Sequence, residues 1–152
     1  MEAAAEEDGP RRDPQEVAIR AGAVMWAGDR ASQAMGMTLE EIAPGRAVLR
    51  MPVRDDMLNG HGTCHGGHVF TLADSAFAFA CNSGGRTNVA QAADITFLAP
   101  AHSGDVLVAT AVERHRRGRT GITDVTVVDA VSGEAVAEFR GRSREVGGSF
   151  ID

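Results

Sequence analysis

The sequence predicts an α+β fold, a curved antiparallel sheet wrapped around one long buried helix, with a further helix on the N-terminal side. Three observations predict it. Val69, Phe70, Leu72, Ala73, Ala76, Phe77, Ala78, Phe79, Ala80 and Cys81 leave no continuous polar face, and a helix that is apolar all round is a buried one. Segments on both sides of that helix alternate with a period of two, the mark of strands with one face inward. The breaks between segments, Pro44-Gly45, Gly84-Gly85, Ser103-Gly104, Arg116-Arg117-Gly118 and Ser132-Gly133, are turn sequences. Such short connections suit antiparallel neighbours.

The elements follow in order. Glu2, Glu6, Glu7, Asp8 and Asp13 make residues 1–13 an acidic tail, expected to be solvated and disordered, ahead of a single domain over 14–148. From Pro14, a residue suited to a first helical turn, Val17, Ile19, Ala21, Val24, Met25 and Ala27 predict a helix that ends before Met35-Gly36. A short strand is expected over 38–42. A second has Ala47, Leu49, Met51 and Val53 facing inward. Loop covers 55–62, and the apolar helix follows. Beyond Gly84-Gly85, Val89, Gln91, Ala93, Ile95 and Phe97 alternate with polar and small residues in a long strand. Strands over 105–115, 119–129 and 134–143 complete a meander, and the chain from Gly147-Gly148 onward is expected to be loose. There is no internal repeat and no linker.

Totals narrow the function. A chain of 152 residues, 43% hydrophobic and 24% charged, is sized and composed as one ordinary globular domain. Its net charge of −6 argues against a general nucleic-acid or anionic-membrane binder, though not against a local basic patch. The apolar helix, interrupted by Thr71, Asp74 and Ser75, is too short to span a bilayer. Two cysteines and no secretory signal point to the reducing cytoplasm. All 15 basic residues are arginine, so Schiff-base chemistry is excluded. The Gly60, Gly62, Gly66 spacing does not fit a dinucleotide fingerprint. No cofactor is expected.

One residue conflicts with its surroundings. Asp74 stands in the middle of the apolar helix, on a face with Phe70, Phe77, Ala78 and Cys81. Removing a carboxylate from water costs several kcal/mol, so a buried one is paired, reached by a cleft, or reactive. At the start of the same helix Gly66 and Gly67 have no side chains to screen the N–H groups that a helix N-terminus leaves free for an anionic oxygen. His61, Cys64, His65 and His68 crowd together as metal ligands do, but the interspersed glycines suit a tight turn and no second cluster completes a site. Cys64 and His65 are adjacent, and adjacent side chains rarely point together as nucleophile and base do. Arg114, Arg116, Arg117 and Arg119 cluster at one hairpin, and Arg140, Arg142 and Arg144 share one face of the last strand. Their guanidinium forks suit phosphates, or simply protect a solvated edge.

The run Asn59-Gly-His-Gly-Thr-Cys-His-Gly-Gly67, continued by Leu-Ala-Asp-Ser-Ala-Phe-Ala-Phe-Ala-Cys-Asn-Ser83, resembles the hotdog-fold acyl-CoA thioesterases of the phenylacetate-degradation (PaaI-like) family. Phe97-Leu-Ala-Pro100, the Gly104-Asp105 turn and Phe139-Arg-Gly-Arg142 extend the resemblance over most of the chain from about residue 20 to Gly148. It implies Asp74 as the catalytic carboxylate, acting as general base or nucleophile, and Gly66 as the backbone N–H that holds the thioester oxygen. His65 matches the neighbouring histidine, and Asn59 the side chain that positions water. It also implies a homodimer with shared sites, paired into a homotetramer, and (hydroxy)phenylacetyl-CoA as substrate. The spacing agrees. Eight residues separate Gly66 from Asp74, about 12 Å of helix, too far for both to act on one carbonyl from one chain. CoA phosphates would fall to Arg116, Arg117 and Arg119, and Gly67 would join them in binding substrate or CoA. Two alternatives remain, a hydratase or dehydratase of the same fold and a non-catalytic acyl-CoA-binding module. The hydratases pair a histidine with an acid, and here the helix supplies no histidine after Asp74.

Overall fold

The computed structural model describes residues 11–152, so most of the expected acidic tail lies outside the described residues. Six antiparallel strands form one sheet: β1 (Thr38–Ala43), β2 (Arg46–Pro52), β3 (Arg86–Phe97), β4 (Val106–Arg117), β5 (Thr120–Asp129) and β6 (Ala135–Ser149). Their order is β1-β2-β4-β5-β6-β3, so the chain leaves β2 through the central helix, builds β3 at the far edge, and returns to fill the middle. Helix α3 (Gly66–Cys81) lies on the inner face. Ala47, Leu49 and Met51 of β2, Leu107, Ala109 and Ala111 of β4, Val125 and Val127 of β5, and Ala137 and Phe139 of β6 close over its Val69, Leu72, Ala73, Ala76, Phe77 and Phe79. Sheet and helix approach closely where the sheet has no side chain. A Cβ on Gly141 would fall 2.7 Å from three ring carbons of Phe77, which is why β6 carries glycine there.

The N-terminal helix is two helices, α1 (Pro14–Gly28) and α2 (Arg30–Ala34). Asp29 divides them, ending the first and capping the second through the Ser32 N–H at 3.0 Å. Asp13, which the sequence assigned to the tail, caps α1 by accepting from the Gln15 N–H at 3.3 Å. The face that α1 buries is Ala18, Ala21 and Gly22, not its large residues, because Ile42 of β1 would come within 2.9 Å of a Cβ at Gly22.

Two strand expectations change. The alternation of β3 promised a buried face, yet Val89 and Phe97 are 46% and 54% exposed. β3 is the last strand of the sheet, and a register shift between Ala90 and Ala92 bulges it at Gln91. The chain end is not loose. β6 runs to Ser149, the Phe150 N–H donates to the Gly85 carbonyl at 3.0 Å, and Ile151 is buried against Gly85.

Candidate active site

The start of α3 is set by its own cap. His65 is the N-cap residue, and its Nδ1 accepts from the Gly67 N–H at 2.9 Å, which leaves the ring proton on Nε2. Gly67 has to be small for this, since a Cβ would stand 3.0 Å from that Nδ1. The His68 N–H donates to the His65 carbonyl at 2.9 Å. Among the described residues the Gly66 N–H has no acceptor. Of the orphan donors in the first turn, the backbone of residue 66 therefore offers the open one, aligned with the positive end of the helix dipole.

Asn59 organises the loop leading into this turn. Its Oδ1 accepts from the His61 N–H at 2.9 Å and the Thr63 N–H at 3.2 Å, and its Nδ2 donates to Thr63 Oγ1 at 3.1 Å. One amide hydrogen of Nδ2 is left over for anything bound nearby. Asn59, Thr63, Gly66, Val69, Phe97 and Pro100 line a cleft of about 500 Å³. Phe97 ends β3 directly against Gly66, whose Cβ would lie 2.9 Å from the ring.

Asp74 is half-buried, and burial pushes its carboxyl above the usual range. It makes no hydrogen bond or ion pair among the described residues. The i+4 ridge of α3 reads Gly66, Phe70, Asp74, Ala78, Asn82. Both ends of that ridge touch β3. Gly66 meets Phe97, and the Asn82 side chain accepts from the Asn88 N–H at 2.7 Å and donates to the Asn88 carbonyl at 3.2 Å. Asp74 occupies the middle of the ridge, next to Phe70 and Phe77, whose rings lie 5.3 and 5.8 Å from that of Phe139. The expectation of a helix buried on every side is thus corrected. Thr71, Asp74, Ser75 and Ala78 form a half-buried flank.

The chain brings Asn59, His65, Gly66 and Gly67 together and leaves Asp74 about two turns of helix away. The arginines lie elsewhere. Arg116 donates to both Glu113 oxygens, to Asn88 Oδ1 at 3.1 Å and to the Cys81 carbonyl at 3.2 Å, at the other end of α3. Arg117 and Arg119 are exposed, with no side-chain hydrogen bond or ion pair among the described residues. Among those same residues no three His, Cys, Asp or Glu side chains are grouped to hold a metal ion, and no helix is long and apolar enough to cross a membrane. Cys64 and Cys81 are free and buried, and burial pushes the Cys81 thiol up to about 12, so neither is poised as a nucleophile. Reasoning from the sequence missed the position of Phe97. A signal was there: Phe97 is in phase with Ala93 and Ile95, and so faces the helix.

Residues 61–136 match the family model of the thioesterase superfamily. The acyl-coenzyme A thioesterase PaaI of Escherichia coli is 46% identical over 126 residues, 83% of this chain and 89% of that protein. The solved structure of the PaaI protein from the E. coli phenylacetic acid degradation operon superposes with a TM-score of 0.88 at 42% identity, covering 90% of this chain and 99% of that one. Human acyl-coenzyme A thioesterase 13 is 32% identical over 106 residues, 68% of this chain and 76% of that protein. The chain belongs to the thioesterase superfamily and, within it, to the PaaI-like acyl-CoA thioesterases of hotdog fold.

Proposed function

We propose that the protein hydrolyses arylacetyl-CoA thioesters, (hydroxy)phenylacetyl-CoA foremost, to the free acid and CoA, in sites shared between two copies of the chain. The observation that carries this is a half-buried carboxylate, Asp74, and on the same helix the N–H of Gly66, the one without a partner and the other without an acceptor among the described residues. The two are too far apart to serve one carbonyl within one chain. An antiparallel pairing of two copies brings one chain's Asp74 to the other's Gly66. The surface for that pairing is β3, a twelve-residue edge strand with Val89, Ala90, Gln91, Ala92, Ala93 and Phe97 exposed. An open edge of this length and composition pairs with another strand unless something covers it. Two such dimers would form the homotetramer.

In this reading the thioester oxygen sits at the Gly66 N–H, where the helix dipole favours the charge that develops on it. The spare amide hydrogen of Asn59 orients a water. Asp74 of the partner subunit removes a proton from that water as its oxygen bonds to the carbonyl carbon. Collapse of the tetrahedral intermediate breaks the C–S bond. The CoA sulfur then takes the proton back from the Asp74 carboxyl and leaves as thiol. A raised carboxyl pKa suits an acid that must both accept and return a proton. Direct attack by Asp74 would instead break the C–S bond, expel the thiolate and leave an acyl anhydride on Asp74; water opening it at the Asp74 carbon would leave solvent oxygen in the enzyme, which oxygen-18 tracing in a single turnover reads. His65 acts by capping, so that Gly66 and not Gly67 presents the open donor. The CoA phosphates fall to Arg117 and Arg119, since Arg116 is already held on four acceptors.

The test is free-thiol release from phenylacetyl-CoA by wild type and by Asp74→Asn. The substitution is expected to lower kcat by at least about a hundredfold. Equal rates in the two proteins would sink the mechanism. Conversion of an enoyl thioester without thiol release would show a hydratase.

A further inference from the structure

Phe97 presents 54% of its surface to water at the last position of β3. Its ring still abuts the backbone of Gly66. A Cβ built at residue 66 would stand 2.9 Å from Cζ, 3.2 Å from Cε1 and 3.5 Å from Cε2, so the ring fills the place that a side chain at 66 would take. The same ring is a wall of the cleft that holds Asn59 and Thr63. Glycine at 66 has no side chain to screen its N–H. Here there is a second reason, because residue 66 and Phe97 compete for one volume.

We propose that Phe97 is a positioning and specificity-determining residue, its ring being the surface against which the acyl group next to the thioester lies while the carbonyl oxygen meets the Gly66 N–H. The inference rests on the thioesterase reading and deepens it. A flat, apolar face beside the donor keeps competing water away, and a hydrogen bond to a charging oxygen is stronger in such surroundings. An aromatic face also favours a flat acyl group, through offset or edge contacts, over a short alkyl one. Leu98, Ala99 and Pro100 continue the apolar wall, and among the described residues the cleft has no charged side chain to draw a polar acyl group.

A double-substitution cycle tests this with wild type, Gly66→Ala, Phe97→Ala and the pair, on phenylacetyl-CoA and acetyl-CoA, with melting temperature measured alongside. Gly66→Ala keeps the N–H, yet it is expected to lower kcat/KM about a hundredfold and to lower Tm. In the Phe97→Ala background the same change should lower kcat/KM less than about tenfold, with no further fall in Tm. Phe97→Ala alone should reduce kcat on phenylacetyl-CoA about tenfold and hardly alter acetyl-CoA. Phe97→Leu, which keeps an apolar side chain on the edge strand, should lose the aryl preference as well, and it covers the case in which the alanine variant alters assembly. Additive losses in both kcat/KM and Tm would overturn the shared volume, and equal losses on the two esters would overturn the acyl contact. If wild type releases thiol from neither ester, the thioesterase reading falls and this inference with it. Activity with additive losses sinks only the inference.

Discussion

The two ends of α3 are treated in opposite ways. At the C-terminal end three of the last four carbonyls accept from side chains. Asn82 Nδ2 donates to Ala78 at 2.9 Å, Ser83 Oγ to Ala80 at 2.8 Å, and Arg116 to Cys81 at 3.2 Å. Arg116 also puts a positive charge where the dipole is negative. At the N-terminal end one donor is capped by His65 and its neighbour, at Gly66, is left open in a cleft. Unsatisfied backbone groups away from bulk water cost free energy. Three side chains serve the one end and none but His65 the other, and on the proposed reading the Gly66 N–H is the donor that the thioester oxygen meets. The cavity of about 410 Å³ at that end, lined by Cys81, Glu113 and Arg116 among others, has charged groups that already hold partners, Arg116 with Glu113, Arg86 with Glu145 and Arg12 with Asp152.

The largest effect that would break this contrast is loss of the open donor itself. Gly66→Pro, made in the Phe97→Ala background so that its ring does not meet Phe97 and compared there with Gly66→Ala, removes the N–H at the first helical position, where proline is otherwise well tolerated, and His65, with ψ of 132°, already has the conformation that precedes proline. Turnover is expected to fall by about a hundred- to a thousandfold, with far-ultraviolet circular dichroism retained. Preserved turnover would show that the helix terminus does not hold the carbonyl oxygen.

Next comes the acid between the two ends. Burial raises the pKa of Asp74 in the folded protein above its unfolded value. The folded state therefore binds that proton more tightly, and Asp74 favours folding below its unfolded pKa. This contribution is lost as pH rises through the folded pKa. Asp74→Asn cannot ionise, so it should melt at a higher temperature than wild type near neutral pH, and the gap should close in acid. The wild-type kcat should rise with pH through an apparent pKa above that of an ordinary aspartate. A lower Tm for Asp74→Asn near neutral pH would mean the carboxylate is paired in the assembled protein.

How much of this was legible in the sequence follows from which forces are local. The central helix was plain because its apolar residues have no polar alternative, and Asp74 stood out as the exception. The caps were less so. His65 has an ordinary sequence context for a loop, and only the fold shows its ring turned back onto Gly67. The division of the N-terminal helix at Asp29 was missed because aspartate both ends and starts helices, and nothing in the periodicity of Val17 to Ala27 says which. The exposure of β3 was invisible for a topological reason. Its alternation is that of a strand with one buried face, and only the strand order puts it at an edge, where residues 89–93 are exposed. Arg116 was grouped with Arg117 and Arg119 by proximity, whereas successive residues of a strand point to opposite faces and Arg116 reaches the Cys81 carbonyl at the end of α3.

A smaller effect is expected at the closed end. Arg116→Met keeps much of the stem and removes the guanidinium, leaving the Cys81 carbonyl, Asn88 and Glu113 without their donor. Losing such a partly buried, charged hydrogen-bonding group should lower stability by about 1–3 kcal/mol, read as a shift in the urea midpoint at constant slope. Turnover at saturating substrate should stay within about threefold. A large fall in kcat without a fall in stability would place Arg116 in the reaction and erase the distinction between the two ends.

The smallest effect separates Arg116 from its neighbours on the same hairpin. Arg117 and Arg119 are exposed guanidinium groups with no acceptor among the described residues, so replacing either by alanine removes no folded-state hydrogen bond, and Tm should hardly move. If they meet CoA phosphates, each change should raise KM by about two- to fivefold with kcat unchanged, the pattern of lost binding that is uniform between ground and transition state. Because the contact is a surface charge pair, that difference should shrink as salt rises and the Debye length falls below about 10 Å. A KM effect that persists at high salt would point to packing of the arginine stem and not to its charge. No KM effect at low salt would move phosphate binding to the other exposed row, Arg142 and Arg144 of β6, for which the same salt series is the decisive measurement.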